Sequence, residues 1–213
     1  MRSLNPDGLT LQERQKQKSR DSILSAAKEV LSERSYASIA IEDVIARAGV
    51  SRATFYKYFD RKFAIGRELH AEFAPRLYAV YDILLSYPDP TEQQLVDWIM
   101  KVVELYRAEK DLIVTFAHLL AIEPDFHPIM INIISETEQR WAATIPAFRV
   151  PGSSSPLAMQ ARIESRLLLR QINDFCYEVA IFGWDIDVTE GCRIMAGYFR
   201  SFLDRYQAAG PTL

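Results

Sequence analysis

Residues 51 to 58 read Ser-Arg-Ala-Thr-Phe-Tyr-Lys-Tyr, and Lys62 stands a few positions further on. One guanidinium (Arg52), two ammonium groups (Lys57, Lys62) and four hydroxyls (Ser51, Thr54, Tyr56, Tyr58) therefore crowd a short stretch. No nucleophile stands beside a base here. What the stretch offers is donation of hydrogen bonds, the chemistry that holds anionic phosphate oxygens and reads base edges. Phe55 and Phe59 are one helical turn apart and read as core. Tyr56 and Tyr58 cannot share that buried face, so the donors should stand outside the core.

The elements that must position these donors are written around them. Ser51 can cap a short helix running through about Tyr58, its hydroxyl accepting from the Thr54 amide. Gly49 can take the left-handed conformation that closes a preceding helix from about Ala40 to Ala48. Val44, Ala48, Val50, Phe55 and Phe59 supply the apolar contacts that would hold the two helices at a steep angle. That is the physics of a helix-turn-helix. Upstream, Ile23, Ala26, Ala27, Val30 and Leu31 mark one buried stripe on a helix spanning Leu11 to Ser32. The Gln- and Lys-rich turns before Ile23 should fray or project. Downstream, Asp60 can cap a helix from about Arg61 into the eighties, which Pro75 should kink or split near Ala74. Arg47 reads as an ordinary solvated residue.

Taken together, Ala48-Gly49-Val50-Ser51, Thr54-Phe55-Tyr56-Lys57-Tyr58-Phe59 and Lys62 resemble the tetracycline-repressor (TetR) family of one-component transcriptional regulators. The resemblance covers about residues 18–70. It implies helices 2 and 3 and the start of helix 4 of a dimeric, all-helical regulator. Carried over by position, Ser51, Arg52, Thr54, Tyr56, Lys57, Tyr58 and Lys62 match the face that such proteins turn toward DNA. Tyr58 stands where histidine is common, and Lys62 matches a lysine that meets phosphate. Ile39 and Ala40 replace the hydroxyl residues that usually open helix 2. Arg61 replaces a small polar residue and offers a further phosphate contact. The resemblance also implies a palindromic operator, a small-molecule effector, and repression as the commoner outcome.

The rest of the chain reads helical as well. Thr91 with Gln94 forms a capping-box pattern that opens a helix to about Ala108. Asp111 opens another through Ile122, and Pro124 starts a third to about Ile145. Pro146 to Pro156 is linker-like. Two last helices span about 157–184 and 188–207. The expected architecture is all-α with about nine helices: a tail at 1–17, a three-helix DNA-binding head at 18–64, and a regulatory and dimerisation body at 65–213. Trp98, Tyr106, Phe116, His118, Trp141 and Phe175 are the candidates for a cavity that takes a small apolar or aromatic effector. The competing reading is that these aromatics are plain core. Leu167, Leu168, Ile172, Phe175, Val179 and Phe182, then Ile194, Met195, Tyr198, Phe199 and Phe202, exceed what one subunit needs. The last two helices should therefore pair with those of a second copy as a four-helix bundle.

Composition narrows the alternatives. At 213 residues, with 49% hydrophobic and 25% charged residues, the chain is an ordinary globular sequence. The net charge of −3 conceals an excess of four positive charges in residues 1–62 over an acidic remainder, so only the N-terminal part should meet a polyanion. Two cysteines, Cys176 and Cys192, cannot staple a chain of this size, and a cytoplasmic setting is expected. The N-terminus carries no apolar leader, and Leu112 to Ile122 is too short to span a membrane. No catalytic motif appears, so an enzyme is not expected. His118 and His127 with Glu123 and Asp125 lack metal-ligand spacing, and neither a metal nor a cofactor is expected. A helical protein-interaction adaptor is the rival to a DNA-binding regulator, but it leaves the exposed donors of residues 51–58 without a purpose.

Overall fold

Helix α1 (Leu11–Glu33) opens on a capping box in which the Thr10 hydroxyl accepts from the Glu13 amide and the Glu13 carboxylate accepts from the Thr10 amide at 2.8 Å. This computed structural model describes residues 10–149 and 155–207, and among them every regular element is helical. The expected tail at 1–17 is thus helical from Leu11 onward, while residues 1–9 lie outside the described residues. Ile23, Leu24, Ala26, Ala27, Val30 and Leu31 form the buried stripe of α1. It packs against α2 (Ile41–Ala48), which buries Val44.

Gly49 closes α2 with φ 64°, the left-handed conformation that glycine adopts without strain. Ser51 then caps α3 (Arg52–Tyr56) by accepting from the Thr54 amide at 3.0 Å. The helix ends at Tyr56, earlier than expected, so Tyr58 sits in the turn that follows. Helix α4 (Lys62–Tyr81) is continuous through Pro75, so the helix is not split near Ala74. Proline removes one amide donor from a helix, and the bonds of the adjacent turns carry α4 past that gap.

Two compact units result, and they interleave along the chain. The first holds residues up to Glu72 together with Asp111–Phe126, and the second holds Phe73–Lys110 with His127 onward. Of the later elements, α6 (Lys110–Ile122) and the 3-10 turn Pro124–Phe126 pack with the first unit. Gly66 makes that packing possible. A Cβ there would come within 2.6 Å of the Leu119 side chain. Phe116, Phe126, Phe63 and His70 fill the space beyond, with Phe116 and Phe126 stacked at 6.0 Å.

The second unit is built from α5 (Glu92–Ala108), α7 (His127–Ala142), α8 (Pro156–Tyr177) and α9 (Val188–Gln207). Thr91 and Gln94 form the expected capping box at the start of α5. Helix α7 starts at His127 and ends at Ala142, because Pro124–Phe126 and Pro146–Phe148 each take a 3-10 turn instead of extending it. The expected linker at Pro146 to Pro156 is only partly that: Phe148 is buried, and residues 150–154 lie outside the described residues. The helix expected to 184 stops at Tyr177, passes through a π-helical turn (Glu178–Phe182), and is closed by Gly183 with φ 66°.

Candidate nucleic-acid interface

Burial divides the short third helix in two. Phe55 is completely buried and Phe59 nearly so, with ring centroids 5.8 Å apart. This anchor leaves Ser51, Arg52, Tyr56 and Lys57 exposed and Thr54 and Tyr58 half-buried. The Ser51 and Thr54 hydroxyls lie 2.9 Å apart, so the cap that starts α3 also orients both hydroxyls. The Arg52 guanidinium sits 5.7 Å from the Tyr56 ring centroid and 3.1 Å from the Glu42 carboxylate of α2. Both members of that pair are well exposed, so it is weak and open to exchange for another anion.

At the entrance to α4, Lys62 is turned partly inward. Its ammonium donates to the Tyr36 carbonyl at 2.8 Å and the Ile39 carbonyl at 3.1 Å, and lies 4.4 Å from the Tyr36 ring centroid. Partial burial pulls its pKa below the usual lysine value. An ammonium has three donors, so one remains for another acceptor. Arg61 beside it is exposed and donates to the Asp125 carboxylate at 2.8 Å, while its guanidinium covers the Phe63 ring at 4.7 Å. Tyr36 in turn donates its phenol to Glu123 at 3.0 Å, and burial with that carboxylate pushes its pKa up.

These partners of Arg61 and Lys62 are what sequence reasoning missed. Glu123 and Asp125 stood out only as poor metal ligands, and nothing in the sequence ties them to residues 36 and 61. The replacement of the usual hydroxyl residues at the start of α2 has a visible consequence. Ala40 offers no side-chain cap, and the Asp43 carboxylate instead accepts from the Ala40 amide at 2.7 Å while pairing with Arg34.

The candidate effector residues are distributed over both units. Phe116 and His118 belong to the first; Trp98, Tyr106, Trp141 and Phe175 belong to the second. Trp98 and Trp141 are buried and meet edge to face at 5.6 Å, and their indole N–H groups donate to the carbonyls of Val80 and Tyr81, each at 3.1 Å. Phe199 and Phe148 close around Trp141. Tyr106 donates to Asn173, and the Phe175 ring lies against Gly191, where a Cβ would come within 2.7 Å. Cys176 and Cys192 are free and buried, and burial raises the Cys192 thiol to about 11.

On the last two helices, burial separates the apolar residues into two sets. Leu168, Ile172, Phe175, Val179, Met195, Phe199 and Phe202 are buried within the chain. Leu167, Phe182, Ile194 and Tyr198 are exposed, and so are Met159, Ile163 and Trp184. Met159, Ile163 and Leu167 recur every four residues on α8, as do Ile194 and Tyr198 on α9, so each set forms a row.

Residues 23–69 match the family described as bacterial regulatory proteins, tetR family. No curated protein matches the sequence. Among solved structures, the fold is similar to a transcriptional regulator (TerR/AcrR family) from Aquifex aeolicus VF5, with 19% identity, a TM-score of 0.53, and coverage of 88% of this chain and 98% of that one. Among the described residues, no helix is long and apolar enough to cross a membrane.

Proposed function

We propose that this chain is a DNA-binding transcriptional regulator that reads duplex DNA with α3 and acts as a homodimer. The observation that carries the reading is the division of α3, with Phe55 buried and Arg52, Tyr56 and Lys57 presented to solvent from a helix of fixed start. A short helix so anchored enters a major groove as a rigid unit. Arg52 and Lys57 are assigned to base edges. Ser51, Thr54, Tyr56, Tyr58 and the remaining donor of Lys62 are assigned to phosphates. The exposed rows of α8 and α9 support a two-fold pairing through those helices, which places two readers on a palindrome with half-sites about 34–36 Å apart.

The regulatory half of the proposal is repression relieved by a small apolar or aromatic effector. Its support is the aromatic content of the second unit together with a buried polar group. The Thr137 hydroxyl is 1% exposed and has no hydrogen-bond partner among the described residues, one turn before Trp141. An apolar ligand with one hydrogen-bonding group would satisfy it. Such a ligand releases DNA only if it binds the DNA-incompetent state more tightly.

Selection of bound duplexes from a random pool, repeated with candidate effectors present, tests the whole reading. A palindromic preference should emerge, and Arg52→Ala should relax it at one position in each half-site at a cost of about 1–3 kcal/mol. Wild-type protein that retains no duplex would overturn the proposal.

A further inference from the structure

Six cations of the first unit are matched to carboxylates of that unit. Arg20 pairs with Glu68, Lys28 with Glu72, Arg34 with Asp43, Arg47 with Glu29 and Glu33, Arg52 with Glu42, and Arg61 with Asp125. A matched charge adds little to the attraction for a polyanion. Among the described residues, Lys16, Lys18, Lys57, Lys62 and Arg67 show no carboxylate within ion-pair distance, and two of these five stand on the first turns of α1.

Those turns are unusual. Of the side chains described from Leu11 to Ser22, none is buried, yet the segment is helical. Lys16 stands seven residues before Ile23, in line with the buried stripe of Ile23, Ala27 and Val30, so the helix has left the core where that stripe turns basic. The acids of the segment are engaged locally. Glu13 accepts from the Thr10 amide and hydroxyl, and Asp21 accepts from the Gln17 amide at 2.7 Å. At the base of the segment, the Ser22 hydroxyl donates to the Ala48 carbonyl at 3.3 Å, beside the turn between α2 and α3. The base of the polar turns therefore sits beside the turn between α2 and α3.

We infer that the N-terminal turns of α1 are a second, sequence-independent DNA contact, in which Lys16 and Lys18 bind backbone phosphates beside the half-site read by α3. This inference rests on the DNA-binding reading above. Two lysines spaced by two residues point to opposite sides of a helix, so each can engage a different stretch of backbone. A membrane surface is the less suited polyanion, since a helix that lies in lipid needs a broad apolar face and this segment exposes a single large apolar residue, Leu11.

The test compares the full-length chain with the Lys16→Ala/Lys18→Ala double variant on a random-sequence duplex and on the selected duplex, across a salt series. Alanine keeps the segment helical, and circular dichroism checks this. The variant should bind both duplexes about tenfold more weakly, with the slope of log affinity against log salt reduced by about 1.8 and the ratio between the two duplexes unchanged. Lys16→Glu/Lys18→Glu should lose more. Wild-type binding with an unchanged affinity and slope in both variants would overturn the arm while leaving the α3 reading intact. Loss of binding to phosphatidylserine vesicles without loss on DNA would overturn it in favour of a membrane contact. Failure of the wild type to bind any duplex would overturn both readings.

Discussion

The Lys62 ammonium lies 2.8 Å from the Tyr36 carbonyl and 3.1 Å from that of Ile39, so its first task is to hold the loop between α1 and α2. Lys62→Ala leaves those carbonyls without this donor and should cost about 1–3 kcal/mol of stability, read as a lower urea midpoint. If its remaining donor meets a phosphate, the same variant also lowers the salt slope of DNA binding by about 0.9. A stability loss with no change in slope would make the residue purely structural. His70 is a second decisive side chain. It is buried edge-on against Phe116 and Phe126 at 5.3 and 5.5 Å, with Nε2 lacking a partner among the described residues, and burial lowers its pKa. Above the unfolded value of about 6.5 both states are neutral and the group is silent. As pH falls through that value the unfolded chain takes the proton first, and stability is lost until pH reaches the lowered folded value. The wild type should therefore lose thermal stability between pH 7.5 and 5, and His70→Leu should lose less. Equal losses would assign the acid sensitivity elsewhere.

At the scale of the element, α3 is too short to be stable alone and depends on what fixes its ends. Gly49 holds φ 64° with nothing within 4 Å of where a Cβ would sit, so Gly49→Ala is penalised by backbone conformation alone, at about 1 kcal/mol. Ser51→Ala removes the acceptor for the Thr54 amide, also at about 1 kcal/mol. Equilibrium urea unfolding should show both losses. Ser51→Asp should restore the cap but place a negative charge on the proposed DNA face, so it should recover stability without recovering DNA affinity. A variant that recovers both would remove Ser51 from that face.

At the scale of the whole molecule, the exposed apolar rows of α8 and α9 are the surface that the proposed pairing would cover. Leu167 is 62% exposed at the end of its row, and a charge there would be buried without a partner if a second copy covers it. Leu167→Lys should leave helicity unchanged and convert a dimer into a monomer by light scattering at micromolar concentration. A wild type already monomeric under those conditions would show that the rows face solvent. Palindromic DNA binding should weaken with the dimer, because each half-site then binds alone.

Much of the molecule was legible in the sequence, and the legible parts share a physical range. Gly49 at the turn, Ser51 as a cap, the Thr91–Gln94 box and the stripe of α1 are contacts between residues at most a few positions apart, so residue type and spacing determine them directly. The exposure of Arg52, Tyr56 and Lys57 followed from the same periodicity, because Phe55 and Phe59 could face only one way. The absence of a split at Pro75 and the early end of α8 departed from expectation because neighbouring turns and tertiary packing outweigh local preference. The interleaving of the two units, the return of Glu123 to Tyr36 and of Asp125 to Arg61, and the closing of Phe199 around Trp98 and Trp141 were decided only by the tertiary structure. Those contacts join residues that no local period relates, and they depend on how whole helices pack. A sequence shows that a helix has an apolar side; which distant helix covers it is settled only when all of them compete for the same interior.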